Sequence, residues 1–250
     1  MKMWKLYDTL IENLPDNGSV TELICGEHWT LAESSGGGVG IAMTTAGSTV
    51  SAAHGSLKGL SAKTAAETVK SWNLIEASGG MAVINACYNT RQRLAELNCA
   101  EDYDRYCTHG LDMRGKTVGV IGHLKMPQDT LKDAREVFIL ERSPREGDYP
   151  DSACEYLLPQ CDVVIITGSS LVNKTLPRLL ELSRSAYTIL TGPTVPLCPE
   201  LLSLGIDRLA GMVITDTPGI KEHILGKRQG PPYPYGKTFL LTQEASRSRL

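Results

Sequence analysis

The spacing of apolar positions changes near residue 110. Before it, Trp4, Leu6, Tyr7, Leu10, Ile11 and Leu14 recur at helical spacing and Pro15 closes the run, so a helix is predicted over 4–14. The runs Val20 to Cys25 and His28 to Glu33 predict two strands, and Ser34-Ser35-Gly36-Gly37-Gly38 turns the chain into a third, Val39 to Thr44. Residues 45–60 are rich in Gly, Ser, Thr and Ala and read as a long irregular connection. Ser61 is placed to cap a helix from Ala62 to Trp72, and another helix is predicted from about Gly80 through Leu97. The first segment therefore reads as a helix, a small antiparallel sheet and further helices.

From Lys116 the pattern becomes an alternation of strands and helices. Strands are predicted near 116–122, 136–141, 161–167, 186–192 and 210–215, with helices near 127–134, 151–158, 172–184, 199–204 and 218–225. Such alternation implies a parallel, doubly wound sheet with right-handed crossovers. The stretch from Cys107 to Gly115 is the natural boundary, giving an α+β unit over 1–110 and an α/β unit over 111–250. The segment Gly230 to Gly236, with three prolines, reads as a stiff surface segment, and Gln243 to Leu250 should fray.

Composition narrows the function classes more than it names one. A chain of 250 residues, 42% hydrophobic and 21% charged, is ordinary for a globular protein with a substantial core. A net charge of −3 gives no footing for a nucleic-acid or anionic-membrane partner, and no apolar run reaches the ~20 residues of a membrane span. The first residues lack the apolar core of a secretory signal. The seven cysteines (Cys25, Cys87, Cys99, Cys107, Cys154, Cys161 and Cys198) form no Cys-x-x-Cys pair and read as reduced thiols of a cytoplasmic protein.

Candidate chemistry gathers where the predicted strands end. Val163-Val164-Ile165-Ile166 runs directly into Thr167-Gly168-Ser169-Ser170-Leu171-Val172-Asn173-Lys174-Thr175, a hydroxyl-rich turn opening the next helix. In a parallel α/β sheet that junction is where ligands bind. Three other strand ends repeat the arrangement: Gly122-His123, Thr191-Gly192-Pro193-Thr194, and Thr215-Asp216-Thr217-Pro218. Thr167, Ser169, Asn173 and Thr175 offer neutral donors and acceptors, one of which a helix cap would consume. Glu141 ends the strand after Gly122, about where an acid would hold a ribose hydroxyl, or else pairs with Arg142 or Arg145. The dinucleotide fingerprint is missing, because no further glycine follows Gly122 before Pro127. Cys198, before Pro199, is a helix N-cap whose thiol pKa the dipole would lower, or a plain capping substitute. The five histidines are dispersed, and His123 is the best placed. A trio of His123, Glu141 and Asp216 would suit a divalent metal across a cleft. Asn85, in an otherwise apolar helix, either ties helices together or points into that cleft. The glycines at 36–38 read as a hairpin turn rather than a phosphate loop.

Several of these motifs, in order, resemble the putative heavy-metal chelation family. The resemblance is carried by Gly38-Val39-Gly40-Ile41-Ala42, Met81-Ala82-Val83-Ile84-Asn85-Ala86, Val118-Gly119-Val120-Ile121-Gly122-His123, Glu141-Arg142-Ser143-Pro144, the stretch through Thr175, and Gly192-Pro193-Thr194-Val195-Pro196-Leu197. It implies a Rossmann-like C-terminal domain, a companion with the fold of the enolase N-terminal domain, and a site in the cleft between them. The ligand expected there is small and anionic or metal-chelating, with a divalent or heavy metal ion as a candidate cofactor. An enzyme of transferase type using a nucleoside-containing cosubstrate, and a non-catalytic sensor or storage protein, are the alternatives. The prevalence of twofold oligomers makes a homodimer the expected assembly.

Overall fold

The computed structural model describes residues 4–101, 104, 108–124, 126, 128–226 and 230–242. The expected fraying of 243–250, and Cys107 and Pro127, lie outside the described residues. Helix α1 (Lys5–Glu12) buries Leu6, Tyr7, Leu10 and Ile11 on one face, as their spacing requires. Strands β1 (Val20–Cys25), β2 (Trp29–Ser34) and β3 (Val39–Met43) form the small antiparallel sheet, and the glycines at 36–38 make its second hairpin. Residues 44–60 are irregular, as expected.

Ser61 accepts the Thr64 N–H at 3.2 Å and starts α2 (Ala62–Ala66), which tightens into a 3₁₀ turn at Glu67–Lys70. The helix predicted over 80–97 starts earlier and divides in two: α3 (Leu74–Tyr88) and α4 (Arg91–Glu96). Asn73 caps the first by accepting the Glu76 N–H at 3.0 Å. Thr90, extended at φ −109 and ψ 145, caps the second by accepting the Arg93 N–H. The sequence hid the earlier start because α3 is small and apolar on all sides, which leaves no periodic face to read. Strand β4 (Ala100–Glu101) follows.

The second segment runs β5 (Thr117–Ile121), β6 (Glu136–Glu141), β7 (Tyr149–Pro150), α5 (Cys154–Leu157), β8 (Val163–Thr167), α6 (Ser169–Val172), α7 (Leu176–Leu182), β9 (Tyr187–Thr191), α8 (Pro199–Leu202), β10 (Arg208–Ile214), α9 (Thr217–Ile224) and β11 (Gly236–Thr242). The helix predicted near 127–134 is reduced to a 3₁₀ turn, Gln128–Leu131. The eight-stranded sheet has the order β4-β11-β10-β9-β8-β5-β6-β7. The six strands from β10 to β7 are parallel, while β11 pairs antiparallel to β10 and β4 antiparallel to β11. This α/β architecture is the expected one, with an antiparallel margin that the proline-rich approach to β11 concealed. From β5 the chain adds β6 and β7 on one side, then crosses back to place β8, β9 and β10 on the other. The sheet therefore reverses its order between β5 and β8, and a crevice opens at the carboxyl ends of such a pair.

One continuous core joins the two segments, from Leu6, Ala42 and Met81 to Leu171, Val195 and Leu241. Polar contacts fix their register. Tyr7 donates its hydroxyl to Leu171 O at 2.8 Å, and Met43 N–H donates to Thr194 Oγ1 at 2.9 Å. Lys221 bridges Glu22 at 2.5 Å and Glu33 at 2.8 Å. The most heavily committed group is Asn89, 1% exposed at the end of α3. Its Nδ2 donates to Val195 O at 2.9 Å and Met212 O at 3.3 Å, and its Oδ1 accepts the Leu197 N–H at 2.8 Å. Asn89→Ala strands buried backbone groups at a cost of ~1–3 kcal/mol each, so a loss of about 3 kcal/mol is expected in chemical denaturation. A loss below about 0.5 kcal/mol would show that water reaches this seam.

Candidate functional site

A cavity of about 500 Å³ opens at the order reversal between β5 and β8. Ile121 and Gly122 line it from the end of β5, Glu141 and Arg142 from the end of β6, and Thr167 and Ser169 from the end of β8. Asn173 and Thr175 follow between α6 and α7, and Thr44, Thr45 and Ala46 close it from the connection after β3. The left-handed φ of +95° at Gly122 turns the chain out of β5. A Cβ there would lie 3.1 Å from Thr167 Cγ2, so a larger residue would be strained and would crowd the crevice floor.

The charges on the wall are mostly committed. Arg178 holds Glu155 through Nε at 2.9 Å and Nη2 at 2.5 Å, and reaches Glu181 at 3.0 Å. Arg142 pairs with Asp151 at 3.6 Å, not with Glu141. Glu141 Oε2 accepts the Ser143 N–H at 3.2 Å, and among the described residues no cation lies within ion-pair distance of that carboxylate. The hydroxyl row is partly self-bonded: Thr167 Oγ1 and Ser169 Oγ are 3.2 Å apart, and Asn173 Oδ1 accepts the Thr175 N–H and hydroxyl at 3.1 and 2.6 Å. Neither α6 nor α7 has a side-chain cap, so Ser169 and Thr175 do not serve the helix starts in that way.

Six of the twelve residues singled out in the sequence line this cavity: Gly122, Glu141, Thr167, Ser169, Asn173 and Thr175. The other six lie elsewhere. Gly168 packs beneath Val195, whose Cγ2 would sit 2.7 Å from any Cβ, and Gly192 donates its N–H to Ala210 O. Thr194 is 2% exposed and accepts from Met43. Asn85 is 1% exposed; its Nδ2 donates to Ile41 O at 2.7 Å, and its Oδ1 has no partner among the described residues. Asp216 caps α9 by accepting the Gly219 N–H. His123 turns away from the cavity, with Nε2 2.5 Å from Asp148 Oδ2, and lines a smaller pocket instead. Reading along the sequence missed Thr44, Thr45, Asp151, Cys154, Glu155 and Arg178, because they come from other elements and carry no local motif.

The donors here do not fit a heavy-metal site. Asp151 and Glu155 are paired with arginines. Burial, and then the Asp151 charge, push the Cys154 thiol up to about 11, so it is protonated near neutrality. Among the described residues no group of three or more His, Cys, Asp and Glu side chains could hold an ion, and His123, Glu141 and Asp216 are not brought together. Cys198 holds the N-cap position of α8, but burial and then Glu200 raise its thiol to about 12, which overturns the expected lowering by the helix dipole. Among the described residues no helix is long and apolar enough to cross a membrane.

Residues 7–88 and 109–225 each match a family described as "putative heavy-metal chelation". A crystal structure from Desulfitobacterium hafniense, of a protein with unknown function from the DUF364 family, is 39% identical and superposes with a TM-score of 0.87, covering 96% of this chain and 98% of that one. A second such structure, from Pyrococcus horikoshii, is 25% identical with a TM-score of 0.79 and covers 97% and 100%. An uncharacterized protein of Methanocaldococcus jannaschii is 29% identical over 161 residues, which is 58% of each chain.

Between Asn173 and Thr175, Lys174 adopts a left-handed φ of +68°, donates Nζ to Val172 O at 2.7 Å and lies over the Tyr7 ring. Burial lowers its pKa to about 8, against 10.5 in the unfolded chain. The unfolded state therefore binds more protons between those values, and this group makes stability rise as pH climbs from about 8 to 10.5. Lys174→Met should raise the Tm at pH 7, and the gain should shrink through that window; a pH-independent difference would contradict the burial of the ammonium.

Proposed function

The chain belongs to the DUF364 family, described as putative heavy-metal chelation, and on that premise we propose that it binds a small hydroxyl-bearing organic ligand in the cavity at the sheet's order reversal. The observation that carries this reading is the Glu141 carboxylate, which faces the cavity and is paired to no cation among the described residues. A carboxylate at the end of β6, beside a glycine at the end of β5, is placed to accept two hydroxyl protons from a vicinal diol such as a ribose. Thr167, Ser169 and Asn173 add neutral groups that reorient at little cost.

The charge pattern favours a neutral or cationic ligand over a strongly anionic one, since both arginines on the wall are already neutralised. No glycine-rich phosphate cradle follows Gly122, so a nucleoside-type ligand without a pyrophosphate fits better than a dinucleotide. Any metal handled in this cavity would be held by donors on the ligand, and it enters as cargo. The lining shows no nucleophile activated by a base, so the reading is one of binding, and transfer chemistry would rest on groups that the ligand brings.

Thermal-shift and calorimetric titration with nucleosides, S-adenosyl compounds and polyhydroxy chelators tests this. A hydrogen bond to a charged group is worth ~1.5–3 kcal/mol, so Glu141→Gln should weaken the responding ligand by about tenfold or more with an unchanged Tm of the free protein. Asn173→Ala should weaken it less. Equal affinity in wild type and Glu141→Gln would refute the placement of the diol.

A further inference from the structure

The connection between β3 and α2 has no ladder of its own. Residues 45–56 belong to no strand or helix and make no backbone–backbone hydrogen bond among the described residues, and from Thr49 to Ser56 every residue is exposed. Both flanks are fixed: the Thr44 N–H donates to His28 O at 2.9 Å, and Leu57 sits in the core. Between them the chain is tied by side-chain bonds to one short stretch, residues 72–78, where α3 begins. Ser48 Oγ donates to Trp72 O at 2.6 Å, Asn73 Nδ2 donates to Val50 O at 2.8 Å, and Ser78 Oγ accepts the Thr45 N–H at 3.1 Å. Glu76, with a side chain only 7% exposed, gathers the most. Its carboxylate accepts the N–H groups of His54 at 2.7 Å and Ala53 at 3.4 Å, meets His54 Nδ1 at 3.0 Å, and accepts the Ser71 hydroxyl.

Asn73 and Glu76 have the spacing of a capping box, in which the acid returns to the N–H of the N-cap residue. Here Asn73 accepts the Glu76 N–H at 3.0 Å, but its own N–H goes to Ser71 Oγ at 3.1 Å. The Glu76 carboxylate turns outward instead and is spent on the connection. The connection so held is not fully satisfied. Thr45 Oγ1 is buried and has no hydrogen-bond partner among the described residues, a cost that water removes once the segment lifts. Two residues on, Gly47 has a φ of +100° and open space where a Cβ would lie, which supplies a joint.

We propose that residues 45–56 are a strap with two positions, latched shut by Glu76, whose release opens the first cavity at the wall formed by Thr44, Thr45 and Ala46. A segment without backbone pairing leaves as a unit when the carboxylate that gathers it lets go. That a ligand enters by this route rests on the reading of that cavity as a binding site; the motion itself does not.

Hydrogen exchange on the full chain, with no ligand added, tests the strap. The Thr45 and His54 amides are bonded to different side chains, yet in the wild type their protection factors should agree within about threefold and lie well below those of β8. Glu76→Gln should speed exchange at both by about tenfold or more, with a Tm within a few degrees of wild type. In that variant N-ethylmaleimide should alkylate Cys154, on the lining of the first cavity, about fivefold faster, while Cys161 and Cys198, which do not line it, keep their rates. His54→Ala removes the imidazole and keeps the backbone bonds, so it should move exchange in the same direction by less. Faster exchange at His54 with Thr45 and Cys154 unchanged would show that Glu76 pins only its own neighbours, and would overturn the proposal. Unequal protection of Thr45 and His54 in the wild type would overturn it too, and that measurement needs no variant.

Discussion

Twelve of the fifteen residues of α3 are buried, and a helix in that position must let its neighbours come close while its polar groups find partners, as all but Asn85 Oδ1 do among the described residues. Small residues meet the first demand. A Cβ on Gly40 of β3 would fall 2.1 Å from Ala86 N and 2.3 Å from Ala82 O, so only glycine lets β3 rest on the backbone of the helix. The ends of α3 meet the second. At its start, Glu76 and Ser78 accept N–H groups from the connection after β3; at its end, Asn89 binds the backbone beyond β9 and at β10. One buried helix therefore sets where the small sheet lies against the large one, and where the connection that carries Thr44, Thr45 and His54 can run.

Both cavities follow from that arrangement. The first needs the order reversal of the parallel sheet for its floor and residues 44–46 for its far wall. A second, lined by Leu23, Leu57 and Ile75 between β1 and α3, needs the same connection, ten residues on, folded back against Glu76. They differ in chemistry because they differ in how their charges are used. In the first, Arg142 and Arg178 neutralise Asp151 and Glu155, leaving Glu141 as the uncommitted carboxylate among neutral hydroxyls and an amide. In the second, a buried carboxylate holds the His54 imidazole and backbone N–H groups of the connection after β3.

Much of the architecture was legible along the chain. Four of the five apolar runs from 116 to 215, β5, β8, β9 and β10, are parallel strands buried almost throughout, because a strand covered on both faces must be apolar along its length, whereas β6 leaves Glu136 and Ile139 exposed. Glu141, Thr167 and Ser169 were legible as residues beside the crevice because strand ends that the pattern marks fix them there. His123 and Asp216 follow strand ends too, yet neither faces the cavity: one is taken up by Asp148 and the other by the Gly219 N–H. A strand end tells which residues are near a crevice and not which way a side chain leaves it.

By itself, then, the sequence determined the two kinds of sheet, the strand ends that bear chemistry, and the absence of a phosphate cradle, since each depends on neighbours a few residues apart. The three-dimensional packing alone decided which carboxylate stays unpaired, that β11 and β4 close the sheet antiparallel, and that His54 meets Glu76. Those outcomes join residues 22 to 140 positions apart. The pairing energies that select them are set by burial and by competing partners, which no local pattern encodes.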